Sequence, residues 1–180
     1  MLFNTINNLQ IKKDNILLID LDNTLIFSDK ANNLSYLFAL EKLGLPTLID
    51  INTRITKENF SPFSQDTQQK IFKIKQKVYP DFIHETKTNQ ILVDFLLKVA
   101  NTKILVSHSN PIRAEMLLDY HQLNHLFSHK IFCKNQNKYE LAIGKLGLNL
   151  NQVLIFDNEP EQLINAKKLG ILPENLFYIS

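Results

Sequence analysis

Apolar residues along this chain come in two rhythms. Ile16-Leu17-Leu18-Ile19 is an unbroken apolar run of strand length. Lys103-Ile104-Leu105-Val106, Lys130-Ile131-Phe132-Cys133, Val153-Leu154-Ile155-Phe156 and Leu176-Phe177-Tyr178-Ile179 read the same way, as strands covered on both faces do. Between them, Leu92, Phe95, Leu96 and Val99 share one helical face, and so do Tyr139, Ala142, Ile143 and Leu146. Asn110 before Pro111 predicts a helix start with Asn110 as N-cap, and Gly147 predicts a helix end. Strand and helix alternate from about Lys103 to the end, the pattern of βαβ crossovers. The expected fold class is therefore α/β, a Rossmann-like three-layer αβα core around a parallel sheet.

One stretch breaks the alternation. Between the first strand and the helix expected over 89–100, two helical patterns run over 32–44 and 67–79, joined by an irregular polar segment, with no strand evident. The simplest arrangement is a small all-helical insert carried after the first strand. It divides the chain into a core of residues 1–28 and 89–180 and an insert of residues 29–88. No internal repeat or low-complexity linker separates the two.

Composition narrows the chemistry. At 180 residues with 44% hydrophobic and 21% charged positions, the chain suits one ordered domain with room for an insert. Its four glycines, Gly44, Gly144, Gly147 and Gly170, form neither a G-x-G-x-x-G turn nor a P-loop, which argues against NAD, FAD and Walker-type ATP binding. A net charge of +2, with Arg54 and Arg113 the only arginines, gives no support for a nucleic-acid partner. A single cysteine, Cys133, makes neither an internal disulfide nor a zinc cluster and fits a reducing, cytoplasmic setting. The stretch from Met1 to Asp14 is polar, and no apolar run nears the length of a membrane span, so neither secretion nor membrane insertion is expected.

In an open α/β sheet, ligands sit outside the carboxyl ends of the strands. The residues that follow the apolar runs are therefore the candidates. They are Asp20-Leu21-Asp22-Asn23-Thr24 after the first, Ser107-His108-Ser109-Asn110 after the second, Lys134-Asn135-Gln136-Asn137-Lys138 after the third, and Asp157-Asn158-Glu159-Pro160-Glu161 after the fourth. Carboxylates crowded at one place repel unless a cation neutralises them. Hard oxygen donors without histidine or cysteine clusters favour Mg²⁺.

The chain resembles the haloacid dehalogenase superfamily of phosphohydrolases. Four motifs carry the resemblance: an apolar strand ending D-x-D-x-T, a strand ending in a serine, a lysine, and a strand ending in an acidic cluster. The first of them, Asp20-Leu21-Asp22-Asn23-Thr24, is the specific one. The resemblance implies a helical cap over residues 29–88 and a catalytic role for Asp20 as the nucleophile that becomes an aspartyl phosphate. Asp22 would be the general acid and base. Asp20, Asp157 and the backbone carbonyl of Asp22 would hold Mg²⁺. Thr24 would brace the loop, Ser107 would bond a phosphate oxygen, and a lysine would offset transition-state charge. Lys138 is preferred to Lys134 for that role, and Ser107 to Ser109. Asn23 stands where the family often has glycine, and asparagine tolerates the left-handed backbone. Glu161 is either an outer ligand or, with Asn158 as N-cap, half of a capping box. His108 lies beside the site with no role implied.

The activity implied is Mg²⁺-dependent hydrolysis of a small-molecule phosphate ester, a nucleotide or sugar phosphate rather than a phosphoprotein. The alternatives are a phosphomutase of the same superfamily and a non-catalytic phosphate-binding protein on the same fold. Asp22 argues against carbon–halogen cleavage, because dehalogenase members lack the second aspartate. Lys30, Asn32, Asn33, Tyr36 and Arg54 are the candidate specificity residues of the cap.

Overall fold

The computed structural model describes residue 9, residues 11–47 and residues 53–180. Most of the polar stretch from Met1 to Asp14, and part of the irregular segment of the insert, lie outside the described residues. Two compact units are present, one made of the chain up to Ile26 with Thr88–Ser180, the other of Phe27–Lys87.

The first unit holds a five-stranded parallel sheet. Its strands are β1 (Ile16–Ile19), β4 (Thr102–Ser107), β5 (His129–Phe132), β6 (Val153–Asp157) and β7 (Leu176–Tyr178), in the order β5-β4-β1-β6-β7. All five apolar runs have thus become strands. Register places Ile19 beside both Leu105 and Phe156, so β4 runs two residues and β6 one residue past the end of β1. Successive side chains alternate between the two faces. Leu18, Ile104, Val106, Ile131 and Ile155 pack with Tyr139 and Ala142 of α5 (Lys138–Leu146) and with Leu163 and Ala166 of α6 (Pro160–Lys168). On the opposite face Phe156 meets Phe95 of α3 (Gln90–Lys98) at 5.7 Å between ring centroids and stacks on Phe177 at 5.0 Å. Helices therefore cover both faces.

Caps set the helix starts. Asn110 accepts from the backbone N–H groups of Ile112 and Arg113 at the head of α4 (Pro111–Tyr120), and Asn137 does the same for Tyr139 and Glu140 at the head of α5. Gly147 ends α5 in the left-handed conformation, φ 60°, where a Cβ would be strained. Two short strands, β2 (Ile26–Phe27) and β3 (Lys87–Thr88), pair with each other where the chain leaves the first unit and returns. The sequence pattern shows neither, because two residues are too few to establish a period.

The second unit is built on α1 (Asp29–Lys42) and α2 (Gln65–Val78). Its core gathers Tyr36, Ala39, Leu40, Ile55, Phe60 and Ile71, with Tyr36 and Phe60 rings 4.8 Å apart. Most of the candidate specificity residues turn out to build this unit. Asn32 donates to the Ile55 carbonyl at 2.8 Å, while Asn33 donates to the Thr53 carbonyl and accepts from the Ile55 N–H, at 2.8 and 2.9 Å. Arg54 pairs with Asp29 at 3.1 Å, and Lys30 with Glu85 at 2.6 Å on the surface. An irregular segment has no ladder to satisfy its backbone, so the α1 asparagines do that work. Asn33→Ala strips the buried Ile55 N–H of its acceptor, and we expect it to lower unfolding free energy by about 1–3 kcal/mol, read from the urea midpoint.

Candidate active site

The site begins where β1 stops. The Asp20 N–H still donates to the Phe156 carbonyl at 3.0 Å, but the chain then folds back, with the Leu25 and Ile26 N–H groups both donating to the Leu21 carbonyl. Asn23 takes φ 58° at the apex, the left-handed angle that asparagine was expected to supply in place of glycine. Leu21 and Leu25 are buried and pin the loop, leaving Asp20, Asp22 and Thr24 around the strand end.

Thr24 is fully buried and sits at a junction. Its hydroxyl lies 3.0 Å from Asp20 Oδ2 and 3.1 Å from Asn158 Oδ1, and it accepts the Asn158 N–H at 3.0 Å. One hydroxyl proton thus serves two acceptors in alternation, tying the end of β1 to the loop after β6. The side chain of Asn89 closes the loop from behind by donating to the Thr24 carbonyl at 3.1 Å.

Lys138 reaches the same place from the first turn of α5. Its ammonium is 2% exposed and bridges Asp20 Oδ1 at 2.6 Å and Asp157 Oδ2 at 2.8 Å. Asp157, fully buried at the end of β6, also accepts the Glu159 N–H at 2.8 Å and the Tyr139 hydroxyl at 2.6 Å. Burial pushes the Asp20 carboxyl up to about 7, with Asp157 and Asp22 adding to the rise and Lys138 opposing it. For Lys138, burial would lower the ammonium, but the two carboxylates outweigh it and hold it above its ordinary value. The Lys138 ammonium faces two carboxylates and stays charged. Burial and the same carboxylates raise Tyr139 well above the usual phenol range, so it stays a donor to Asp157.

Ser107, the last residue of β4, is 1% exposed, and its hydroxyl accepts the Ser109 N–H at 3.1 Å. Ser109 in turn donates to Asp22 Oδ2. That same carboxylate oxygen is ion-paired with Arg113, whose Nη2 also meets the Ser109 hydroxyl.

The strand ends thus bring Asp20, Thr24, Lys138 and Asp157 into one network and Asp22 and Ser107 into a second. Lys134 is exposed in its loop, and His108 is exposed with Nε2 3.2 Å from the Gln136 carbonyl. The capping box expected at Asn158 and Glu161 is not formed. Glu159 is the N-cap of α6 and makes no side-chain cap bond, Pro160 opens the helix, and Asn158 turns to Thr24 instead. Pro160 lacks an N–H, so a cap there has one fewer donor to satisfy. Glu161 is exposed in the first turn of α6. Sequence reasoning missed Arg113 and Tyr139. Arg113 could have been noticed as one of two arginines, three positions beyond the N-cap Asn110. Tyr139 was read as core, which it is, apart from its hydroxyl.

Hard oxygen donors dominate the centre: the Asp20 and Asp157 carboxylates and, through Thr24, the Asn158 amide oxygen. Among the described residues no cluster of three or more histidine, cysteine or acidic side chains has metal-holding geometry. Mg²⁺ keeps several waters and needs only one or two protein carboxylates, and the Asp20 and Asp157 carboxylates meet at one sheet edge around a single ammonium, so the residues present fit that ion.

A family model described as NLI interacting factor-like phosphatase matches residues 15–179. No curated protein matches the chain. Among solved structures, a haloacid dehalogenase-like hydrolase from Streptococcus pneumoniae is similar at TM-score 0.74 and 17% identity, over 88% of this chain and 82% of that one. A protein assigned as a phosphoglycolate phosphatase from Haemophilus somnus matches at 0.74 and 17%, over 94% and 90%. One assigned as a β-phosphoglucomutase from Thermotoga maritima matches at 0.68 and 18%, over 91% and 84%. At such identities these likenesses speak for the fold.

Proposed function

Since the chain belongs to the NLI interacting factor-like phosphatases, phosphoric monoester hydrolases with the haloacid dehalogenase fold, we propose that it hydrolyses a small phosphorylated metabolite, a nucleotide or sugar phosphate, through an aspartyl phosphate on Asp20. The observation that carries this reading is the bridge from Lys138 to both Asp20 and Asp157, which gathers the carboxylates at the ends of β1 and β6 around one ammonium at the head of α5.

An Asp20 oxygen attacks phosphorus as the bond to the leaving oxygen breaks, and Asp22 gives that oxygen a proton. Asp22 then takes a proton from a water, which attacks the aspartyl phosphate and frees inorganic phosphate. The Ser107 hydroxyl bonds a phosphate oxygen, Lys138 offsets the charge that develops there, and Thr24 holds the nucleophile's second oxygen. Asp20, Asp157, the Asp22 carbonyl and Asn158 would hold Mg²⁺. When bound, that ion supplies positive charge that offsets the phosphate and favours in-line attack.

The helical unit is read as the cap that selects the leaving group. A reducing, cytoplasmic setting goes with the buried thiol of Cys133. Among the described residues no helix is long and apolar enough to cross a membrane. The test is phosphate release from p-nitrophenyl phosphate, then from a panel of nucleotide and sugar phosphates. Excess EDTA should abolish release and added Mg²⁺ should restore it. Turnover indifferent to EDTA, or no release from any ester, would overturn the reading.

A further inference from the structure

Arg113 takes no part in the chemistry above, yet its guanidinium lies within the site. It sits in the first turn of α4, behind the Asn110 cap, and its side chain is 15% exposed. Its Nη2 donates to Asp22 Oδ2 and to Ser109 Oγ, while the Ser109 hydroxyl donates to that same Asp22 oxygen. The Asp22 oxygen that would face a leaving group is therefore engaged twice from the β4–α4 side.

We propose that Arg113 reads a second anionic group on the substrate, a carboxylate or phosphate borne by the leaving alcohol, which takes over the guanidinium and releases Asp22 toward the ester. This rests on the reading of Asp22 as the acid and base. Exchange of one anion for another at the same guanidinium keeps that largely buried cation paired throughout, and the freed Asp22 carboxylate takes up a proton from water, the form in which it serves as the acid. A neutral leaving alcohol offers no such replacement, and the Arg113–Asp22 pair then stays closed or opens with nothing to compensate it. Arginine suits the task better than lysine because its planar fork meets carboxylates and phosphates two bonds at a time. Ser109 completes the exchange, since its hydroxyl remains beside the guanidinium when Asp22 departs.

The test compares kcat/KM within two matched pairs in the presence of Mg²⁺. The first is 3-phosphoglycerate against glycerol 3-phosphate, which differ by a carboxylate in place of a hydroxymethyl group. The second is fructose 1,6-bisphosphate against fructose 6-phosphate, which differ by a second phosphate. The wild-type enzyme should favour the anionic member of at least one pair by about tenfold or more, equivalent to about 1.4 kcal/mol. The responding pair tells carboxylate from phosphate. Arg113→Gln should bring that ratio to about one. Arg113→Lys, which keeps the charge without the fork, should lower it by about threefold and carries the comparison should the glutamine variant fail to fold. No preference in either pair overturns the inference, and so does an equal loss on both members, the mark of a residue that merely holds Asp22. If the wild type also fails to cleave p-nitrophenyl phosphate, the phosphatase reading falls first and this inference with it.

Discussion

Asp20→Asn should abolish phosphate release, by on the order of 10⁵-fold, while leaving the fold as stable as before or more so. The loss follows from the proposed chemistry, because a neutral amide cannot attack phosphorus to form the acyl phosphate. Stability follows from burial. Burial raises the Asp20 carboxyl to about 7, so a neutral side chain of the same shape is well tolerated at that place. An amide of the same shape keeps an oxygen for Lys138 and places its nitrogen against the Thr24 hydroxyl, which accepts as well as donates. Phosphate release and thermal melting, measured on the same preparation, separate the two effects. Retained activity would remove Asp20 as nucleophile.

Lys138→Met should damage both. In stability we expect a loss of about 3–5 kcal/mol near neutral pH, the scale on which removing one partner strands buried charge. In kcat we expect a fall of about 10²- to 10³-fold, the range typical of losing one transition-state stabiliser. The ammonium is 2% exposed and is the basic group bridging the two buried carboxylates. The pH dependence has a definite sign. A carboxyl whose folded pKa lies above its unfolded value of 3.8 contributes stability that is complete below that value and is lost as pH rises through the folded pKa. Removing Lys138 takes away the influence that opposes this rise, so the deficit of the variant should be large at pH 8 and shrink toward pH 5 as the carboxyl protonates. Urea unfolding at several pH values checks it. A deficit independent of pH would mean that the lysine acts through packing alone.

Much of this was legible beforehand because the relevant signals are local. An apolar run of four to six residues, such as Ile16 to Ile19, reports a doubly covered strand wherever it occurs, and the polar residues after it must lie at the sheet's carboxyl edge. That ground places Asp20, Asp22, Ser107 and Asp157 among the candidates, and the resemblance of the D-x-D-x-T motif singles them out. The Asn110 cap is equally local, since it bonds backbone groups within three residues. What was not legible is non-local. Asn158 has the composition of an N-cap, but its side chain bonds Thr24, 134 positions away. Asn32 and Asn33 read only as polar residues of the insert, because a sequence does not show which irregular segment a helix must satisfy.

The sequence by itself determined the strands, their parallel arrangement and the acids at their ends, because hydrophobic periodicity acts over a few residues. Tertiary structure alone decided which groups those acids meet. It buried Lys138, the lysine the sequence already favoured, against Asp20 and Asp157 while leaving Lys134 exposed, and it set Arg113 against Asp22 across 91 positions. It also gave the Tyr139 hydroxyl to Asp157 from a ring that otherwise belongs to the core. A hydrogen bond between distant residues depends on directions and distances to within about half an ångström, and such precision exists only after the sheet and its helices have packed.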